Sequence, residues 1–129
     1  MNVPPDSTQS ILVVDDHAEI RTFLRMALEQ AGYEIQEASN GKDAIEMLRS
    51  TPCDLVLTDM VMPDGEGAQL LLDLKKEFPR TSIIVMTGGS GTKDYGFIAK
   101  GFGAHYVLYK PFSNDELIMT VQTAFSTRK

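Results

Sequence analysis

The chain has a single cysteine, no long apolar run and no surplus of positive charge, and each deficit closes off a class of protein. Cys53 is alone in 129 residues, so no intramolecular disulfide can staple the fold. No N-terminal stretch joins basic residues to an apolar signal core, and no apolar run approaches the ~20 residues that span a bilayer. These features point to a reducing cytoplasm and away from a membrane. Net charge is −6, with 18 acidic against 12 basic residues, which opposes direct nucleic-acid contact because phosphate backbones attract clustered lysine and arginine. A protein partner remains compatible with that surface. The G-x-x-x-x-G-K-[ST] spacing of a nucleotide-binding loop is missing, and so is any low-complexity tract.

What is present suits one domain. An apolar fraction of 43% and a charged fraction of 23% are ordinary for a globular protein, and a chain near this size buries roughly two-thirds of its unfolded surface. Residues 1–9, with Pro4-Pro5 followed by polar positions, read as a flexible lead-in, residues 10–126 as the domain and residues 127–129 as a tail.

Elements alternate along the chain. Ile11-Leu12-Val13-Val14 is a buried strand, and then Ile20, Phe23, Leu24, Ala27, Leu28 and Ala31 recur at the spacing of one helix face, with Gly32 as the stop. Tyr33 to Ala38 alternates as a half-buried strand, and Ala44, Ile45 and Leu48 stripe a short helix. Strands follow at about Leu55 to Thr58, Ser82 to Met86 and Tyr106 to Tyr109, separated by helices at about Ala68 to Phe78 and Lys93 to Lys100. The last helix starts at Ser113, an N-cap with Glu116 as its capping-box partner, and runs to Phe125. Five βα units with short connections predict an α/β fold, a doubly wound five-stranded parallel sheet with helices on both faces.

Such folds bind ligands beyond the carboxyl ends of their strands, and the reactive groups collect there. Asp15 and Asp16 follow the first strand, Asp59 closely follows Leu55-Val56-Leu57, Thr87 follows Ile83 to Met86, and Lys110 follows Tyr106 to Tyr109. Three convergent carboxylates repel one another unless a cation joins them. Mg2+ suits the set, since it prefers oxygen ligands, keeps several waters and uses one or two carboxylates plus phosphate oxygen. Lys110 can pair with Asp59 at rest and with a phosphoryl oxygen later, and the Thr87 hydroxyl can donate to another. Asp59 is the candidate nucleophile toward phosphorus. Gly88-Gly89-Ser90-Gly91 leaves room for close approach of backbone and substrate.

Each residue also has a structural reading. Asp16 could N-cap the first helix with Glu19 completing a capping box. Asp59, Thr87 and Lys110 could be a loop-entry aspartate, a strand-end threonine and a solvated charge; only their joint placement favours chemistry. His17 reads as an exposed first-turn residue without a role, His105 likewise, the methionines as core filler and Cys53 as a packed side chain.

The motifs Val13-Val14-Asp15-Asp16, Leu57-Thr58-Asp59-Met60-Val61-Met62-Pro63-Asp64-Gly65, Val85-Met86-Thr87-Gly88 and Lys110-Pro111-Phe112 resemble those of the bacterial two-component response-regulator receiver family, in its single-domain, chemotaxis-regulator-like form. The likeness runs from Ile11 to about Phe125. It implies a flavodoxin-like (βα)5 fold with strand order 2-1-3-4-5. It implies a phosphorylation-dependent signalling switch in which Asp59 accepts phosphate from a histidine kinase or phosphotransfer protein, and it implies a downstream protein target. Asp15, Asp16, Asp59 and the backbone carbonyl of Val61 would surround Mg2+, Thr87 and Lys110 would bind the phosphoryl group, and Lys110-Pro111 would be cis. Where the family often carries Tyr or Phe three residues before the lysine, this chain has Val107, which implies weaker or different coupling through the fourth helix and fifth strand. Val61 and Gly89 stand where the family tunes access of hydrolytic water, and neither offers a polar side chain, implying slow to moderate self-dephosphorylation. A docking face on the fourth helix, fifth strand and fifth helix would show Tyr95, Phe97 and Tyr106.

Three alternatives stand beside this reading. An aspartate-nucleophile phosphatase would need a second Asp where Val61 stands. A flavin carrier would place small hydroxyl-bearing residues where Asp15 and Asp16 stand. A receiver fold used only as a scaffold would have no need of the intact constellation. The expectation is a stand-alone receiver, though Ser126 to Lys129 could also open a linker.

Overall fold

The computed structural model describes residues 8–60, 66–88 and 95–127, with backbone only for Glu66, Tyr95 and Gly96. Among these residues strands and helices alternate as β1 (Ser10–Val14), α1 (Ala18–Gln30), β2 (Glu34–Ala38), α2 (Gly41–Ser50) and β3 (Leu55–Asp59), continuing as α3 (Glu66–Glu77), β4 (Ser82–Gly88), α4 (Tyr95–Gly101), β5 (Tyr106–Lys110) and α5 (Asn114–Ser126). All strand pairs are parallel, in the order β2-β1-β3-β4-β5. One expected helix bound shifts by two residues, α3 starting at Glu66 rather than Ala68; Lys93, the expected start of the fourth helix, lies outside the described residues, and α4 is described over Tyr95–Gly101.

The two faces of the sheet carry separate cores. Leu12, Val14, Val56, Ile83 and Val85 point to one side, where they meet Ala44 and Leu48 of α2, Leu70, Leu71 and Leu74 of α3 and Ala99 of α4. Ile11, Val13, Leu55, Leu57, Ile84 and Met86 point to the other, against Leu24 and Leu28 of α1 and Leu117 and Val121 of α5. Successive strand residues face opposite ways, so a strand covered on both sides must be apolar throughout. This accounts for the unbroken runs in β1, β3 and β4.

Local signals set several ends. Gly32 takes φ +100°, a left-handed conformation that closes α1 after the Ala31 cap. Asn40 caps α2 by accepting from the Asp43 N–H at 2.8 Å. The capping box of α5 forms in both directions: Ser113 Oγ accepts from the Glu116 N–H at 3.0 Å, and Glu116 Oε1 accepts from the Ser113 N–H at 2.8 Å. Asp54 accepts from the Ser10 N–H at 2.9 Å and so locks the start of β1 beside β3.

Two expectations for α1 fail. Its N-cap is His17, and no side-chain cap bond forms there, so Asp16 does not make a capping box with Glu19. The neighbouring Asp15 carboxylate is wholly buried and accepts the His17 N–H instead, at 2.8 Å. Phe23, placed on the apolar stripe by its spacing, is 49% exposed, because Leu24 and Leu28 fill the contact with β1 and α5.

Candidate phosphoacceptor site

The sheet brings the carboxyl ends of β1, β3, β4 and β5 to one edge. Register aligns Val14 with Thr58, Asp59 with Met86, Thr87 with Tyr109 and Gly88 with Lys110. Asp15, Asp59, Thr87 and Lys110 are therefore neighbours across four strands although 95 positions separate the first from the last (110 − 15). Order 2-1-3-4-5 puts β1 and β3 at the point where the winding reverses, which opens the crevice above them.

Burial grades across the site. Asp15 and Thr87 are fully buried and Asp59 nearly so, while Asp16 keeps 32% of its side chain in solvent. Lys110 Nζ donates to Asp59 Oδ2 at 3.3 Å. Oδ2 of Asp15 and Oγ1 of Thr87 have no hydrogen-bond partner among the described residues. A buried polar atom without a partner costs roughly 1–3 kcal/mol, so both atoms are poised for a ligand. Val61 and Gly89, expected at the site, lie outside the described residues.

Surrounding contacts hold this edge in place. Arg21 of α1 donates from Nη1 to the Asp15 carbonyl at 2.6 Å and pairs through Nε with Glu37 of β2 at 3.1 Å. Thr58 Oγ1 donates to the Asp59 carbonyl at 3.1 Å. Gly67, in the first turn of α3, lies so near the chain after β3 that an added Cβ would sit 1.9 Å from the Met60 carbonyl oxygen. Sequence reading passed over Gly67, although a glycine in a helix's opening turn is itself a signal of close approach.

His17 is exposed, at 60%, as expected, and its Nδ1 lies 3.2 Å from Asp15 Oδ1 and 3.1 Å from Asp16 Oδ1. His105 is structural, accepting the Ile83 N–H at Nδ1 across the start of β5. Cys53 is buried without a disulfide, and burial raises its thiol pKa. Tyr106 corrects the expected docking face: it is half-buried with its hydroxyl bonded to Thr127 Oγ1 at 2.9 Å, whereas Phe97 is 79% exposed. Val107 faces the α2–α4 side of the sheet, opposite Tyr106. The Lys110-Pro111 peptide is cis, as the motif implied.

Buried carboxylates, a lysine and a threonine at the switch point of an α/β sheet are a set chemically suited to accepting a phosphoryl group. The response regulator receiver domain family matches residues 11–122, and the chain belongs to that family. Receiver domains are the phosphoacceptors of phosphorylation-dependent two-component signalling, and they bind Mg2+ through acidic residues. The residues present fit such an ion: Asp15, Asp16 and Asp59 carry hard carboxylate oxygens, and Asp15 Oδ2 has no partner among the described residues.

Among curated relatives, the transcriptional regulator NtrC of Rhizobium meliloti is 38% identical over 120 residues, which cover 93% of this chain and 25% of that protein. ResD of Bacillus subtilis is 39% identical over 114 residues, covering 87% of this chain and 46% of that protein. The chain thus spans a quarter to about half of these relatives. Solved structures agree with the fold. The NtrX receiver domain from Brucella abortus superimposes with a TM-score of 0.84 at 29% identity, over 91% of this chain and 98% of that one. The chemotaxis regulator CheY4 of Vibrio cholerae gives 0.82 at 27% identity, over 92% and 99%. Among the described residues no helix is long and apolar enough to cross a membrane.

Proposed function

We propose that Asp59 is the phosphoryl acceptor, that Asp15, Asp16, Asp59 and the Val61 carbonyl hold Mg2+, and that Thr87 and Lys110 bind the phosphoryl oxygens. The observation that carries this reading is the pairing of Asp59 with Lys110 at 3.3 Å at the edge that also holds two buried oxygens without a partner among the described residues, Asp15 Oδ2 and Thr87 Oγ1. An Asp59 oxygen attacks phosphorus as the bond to the donor breaks; with a phosphohistidine donor the P–N electrons return to the imidazole, which takes a proton from solvent. Lys110 then turns from Asp59 to a phosphoryl oxygen, and the Thr87 hydroxyl donates to a second. Mg2+, when bound, supplies charge neutralisation between the carboxylates and the incoming phosphoryl oxygens.

In this reading residues 10–126 form the receiver, the donor is a histidine kinase or phosphotransfer protein, and the phosphorylated surface engages a downstream protein in the cytoplasm. The domain also catalyses its own phosphorylation from small phosphodonors. Self-dephosphorylation is slow to moderate, since neither Val61 nor Gly89 has a polar side chain to orient water; a phosphoryl half-life of seconds without a phosphatase contradicts this. Val107 provides no ring to swing inward, so coupling through α4 and β5 is weaker or different.

Intact-protein mass after incubation with acetyl phosphate tests the central assignment. One phosphoryl group is expected with Mg2+, none without it, and none in Asp59→Asn. An adduct that survives in Asp59→Asn overturns the choice of acceptor.

A further inference from the structure

The phosphoacceptor chemistry leaves one polar group at the site without a task, the imidazole of His17. We propose that His17 is a metal ligand: its Nδ1 joins the carboxylates of Asp15 and Asp16 to make a mixed nitrogen and oxygen site that takes borderline divalent cations such as Ni2+ and Zn2+. This rests on the reading of the two aspartates as cation ligands and adds to it a donor that Mg2+ has little use for.

The geometry supports the assignment in three ways. First, Nδ1 is 3.2 Å from Asp15 Oδ1 and 3.1 Å from Asp16 Oδ1, and one ligand atom from each of the three residues falls within 4.8 Å of the others. Adjacent ligands of an octahedral ion with ~2.1 Å bonds stand about 3.0 Å apart, so the ring already occupies a ligand's distance from both oxygens. Second, the backbone that carries the ring is fixed. The His17 backbone N–H bonds to Asp15 Oδ1 at 2.8 Å, and the residue forms the start of α1, so only the side-chain torsions of His17 remain to be ordered on binding. Third, Asp15 is fully buried with Oδ2 unpartnered among the described residues, a further acceptor that a cation satisfies.

The chemical preference follows from donor softness. Imidazole nitrogen suits nickel, zinc and copper, whereas Mg2+ selects oxygen and retains its waters. Binding through Nδ1 requires its lone pair, so in the metal-bound form the ring carries its proton on Nε2. Nickel binds most nitrogen and oxygen sites more tightly than magnesium. Raw affinity therefore decides nothing, and the informative quantity is the change when the ring is removed.

Calorimetric titration of Ni2+ alone and Mg2+ alone into wild type, His17→Ala and His105→Ala makes the test. In His17→Ala the Ni2+ dissociation constant should rise about tenfold or more while that for Mg2+ changes less than about twofold. His105→Ala should leave both unchanged. With only two histidines in the chain, Zn2+ added to 15N-labelled wild type should shift the ring nitrogens of His17 and spare those of His105, a readout that needs no variant to fold. Equal weakening of both metals in His17→Ala, unchanged Ni2+ affinity, or unmoved His17 nitrogens overturns the proposal. Metal selectivity that depends on His17 in a chain that acetyl phosphate fails to modify removes the phosphoacceptor assignment and upholds this one. Phosphorylation at Asp59 with no His17 effect does the reverse.

Discussion

Replacing Gly67 by alanine tests whether the approach of α3 to the end of β3 is as tight as the structure places it. The new methyl carbon would lie 1.9 Å from the Met60 carbonyl oxygen, 2.7 Å from its carbonyl carbon and 3.2 Å from the Asp59 carbonyl oxygen. All three are backbone atoms, so no side chain can rotate away, and α3 or the residues after β3 must shift by more than an ångström. Overpacking of this kind costs about 1–3 kcal/mol or more, against at most ~1 kcal/mol recovered from the better helix propensity of alanine. A net loss near 2 kcal/mol lowers Tm by roughly 6–10 °C in a domain of this size. Because the displaced backbone carries Asp59, phosphorylation by acetyl phosphate should slow as well. Gly101→Ala is the control: among the described residues nothing lies within 4 Å of its added Cβ, and the same chemical change there should be neutral or stabilising by up to about 1 kcal/mol. Urea denaturation of both variants gives the comparison. A Gly67→Ala protein as stable as wild type would refute the packing argument.

Three further outcomes follow from particular contacts. Asp15→Asn removes a buried charge while keeping an acceptor for the His17 N–H, so in EDTA it should stabilise the fold by about 1–2 kcal/mol; Mg2+ at ten times its dissociation constant should add ~1.4 kcal/mol to wild type and little to the variant, and a destabilised variant in EDTA would count against the site's stored repulsion. Ser113→Ala removes the Oγ that accepts the Glu116 N–H and leaves the backbone bond from the Ser113 N–H to Glu116 Oε1; it should cost about 1 kcal/mol by urea denaturation, with no loss meaning that solvent replaces the cap. Burial raises the Cys53 pKa, so the folded state binds that proton more tightly than the unfolded chain: this contribution is fully present below the unfolded thiol pKa and is lost as pH rises through the folded value. Stability should therefore fall on the alkaline side less steeply in Cys53→Ala than in wild type, and native Cys53 should react slowly with thiol reagents; rapid labelling under native conditions would contradict its burial.

Much of the domain was legible in the order of residues because its signals are local. Apolar runs of strand length, a helix-face repeat after each and turn residues between them identify five βα units, and the reactive groups stand one or two residues past the runs. The Ser113 and Glu116 capping box and the Gly32 stop are likewise written within a few positions, and each is found where its spacing puts it. Features that join distant segments were not legible. Asp16 looked like a cap because its spacing to Glu19 is right, but the buried Asp15 carboxylate competes for the His17 N–H. Phe23 fits the periodic stripe, yet the width of the contact with β1 and α5 decides how much of that stripe is covered. Tyr106 looked exposed until the end of α5 arrived beside its hydroxyl.

The sequence by itself determined the element types, the parallel class of sheet and the residues available for chemistry, since hydrophobic period and turn chemistry act over a few residues. Only the tertiary structure decided which side of the sheet each strand residue faces: Ile11, Leu12, Val13 and Val14 are all fully buried, and an unbroken apolar run has no alternation to reveal its faces. Packing likewise brought Lys110 to Asp59 and the ring of His17 onto two carboxylates, contacts that depend on the register of four strands and the seating of α1, which no short segment encodes alone.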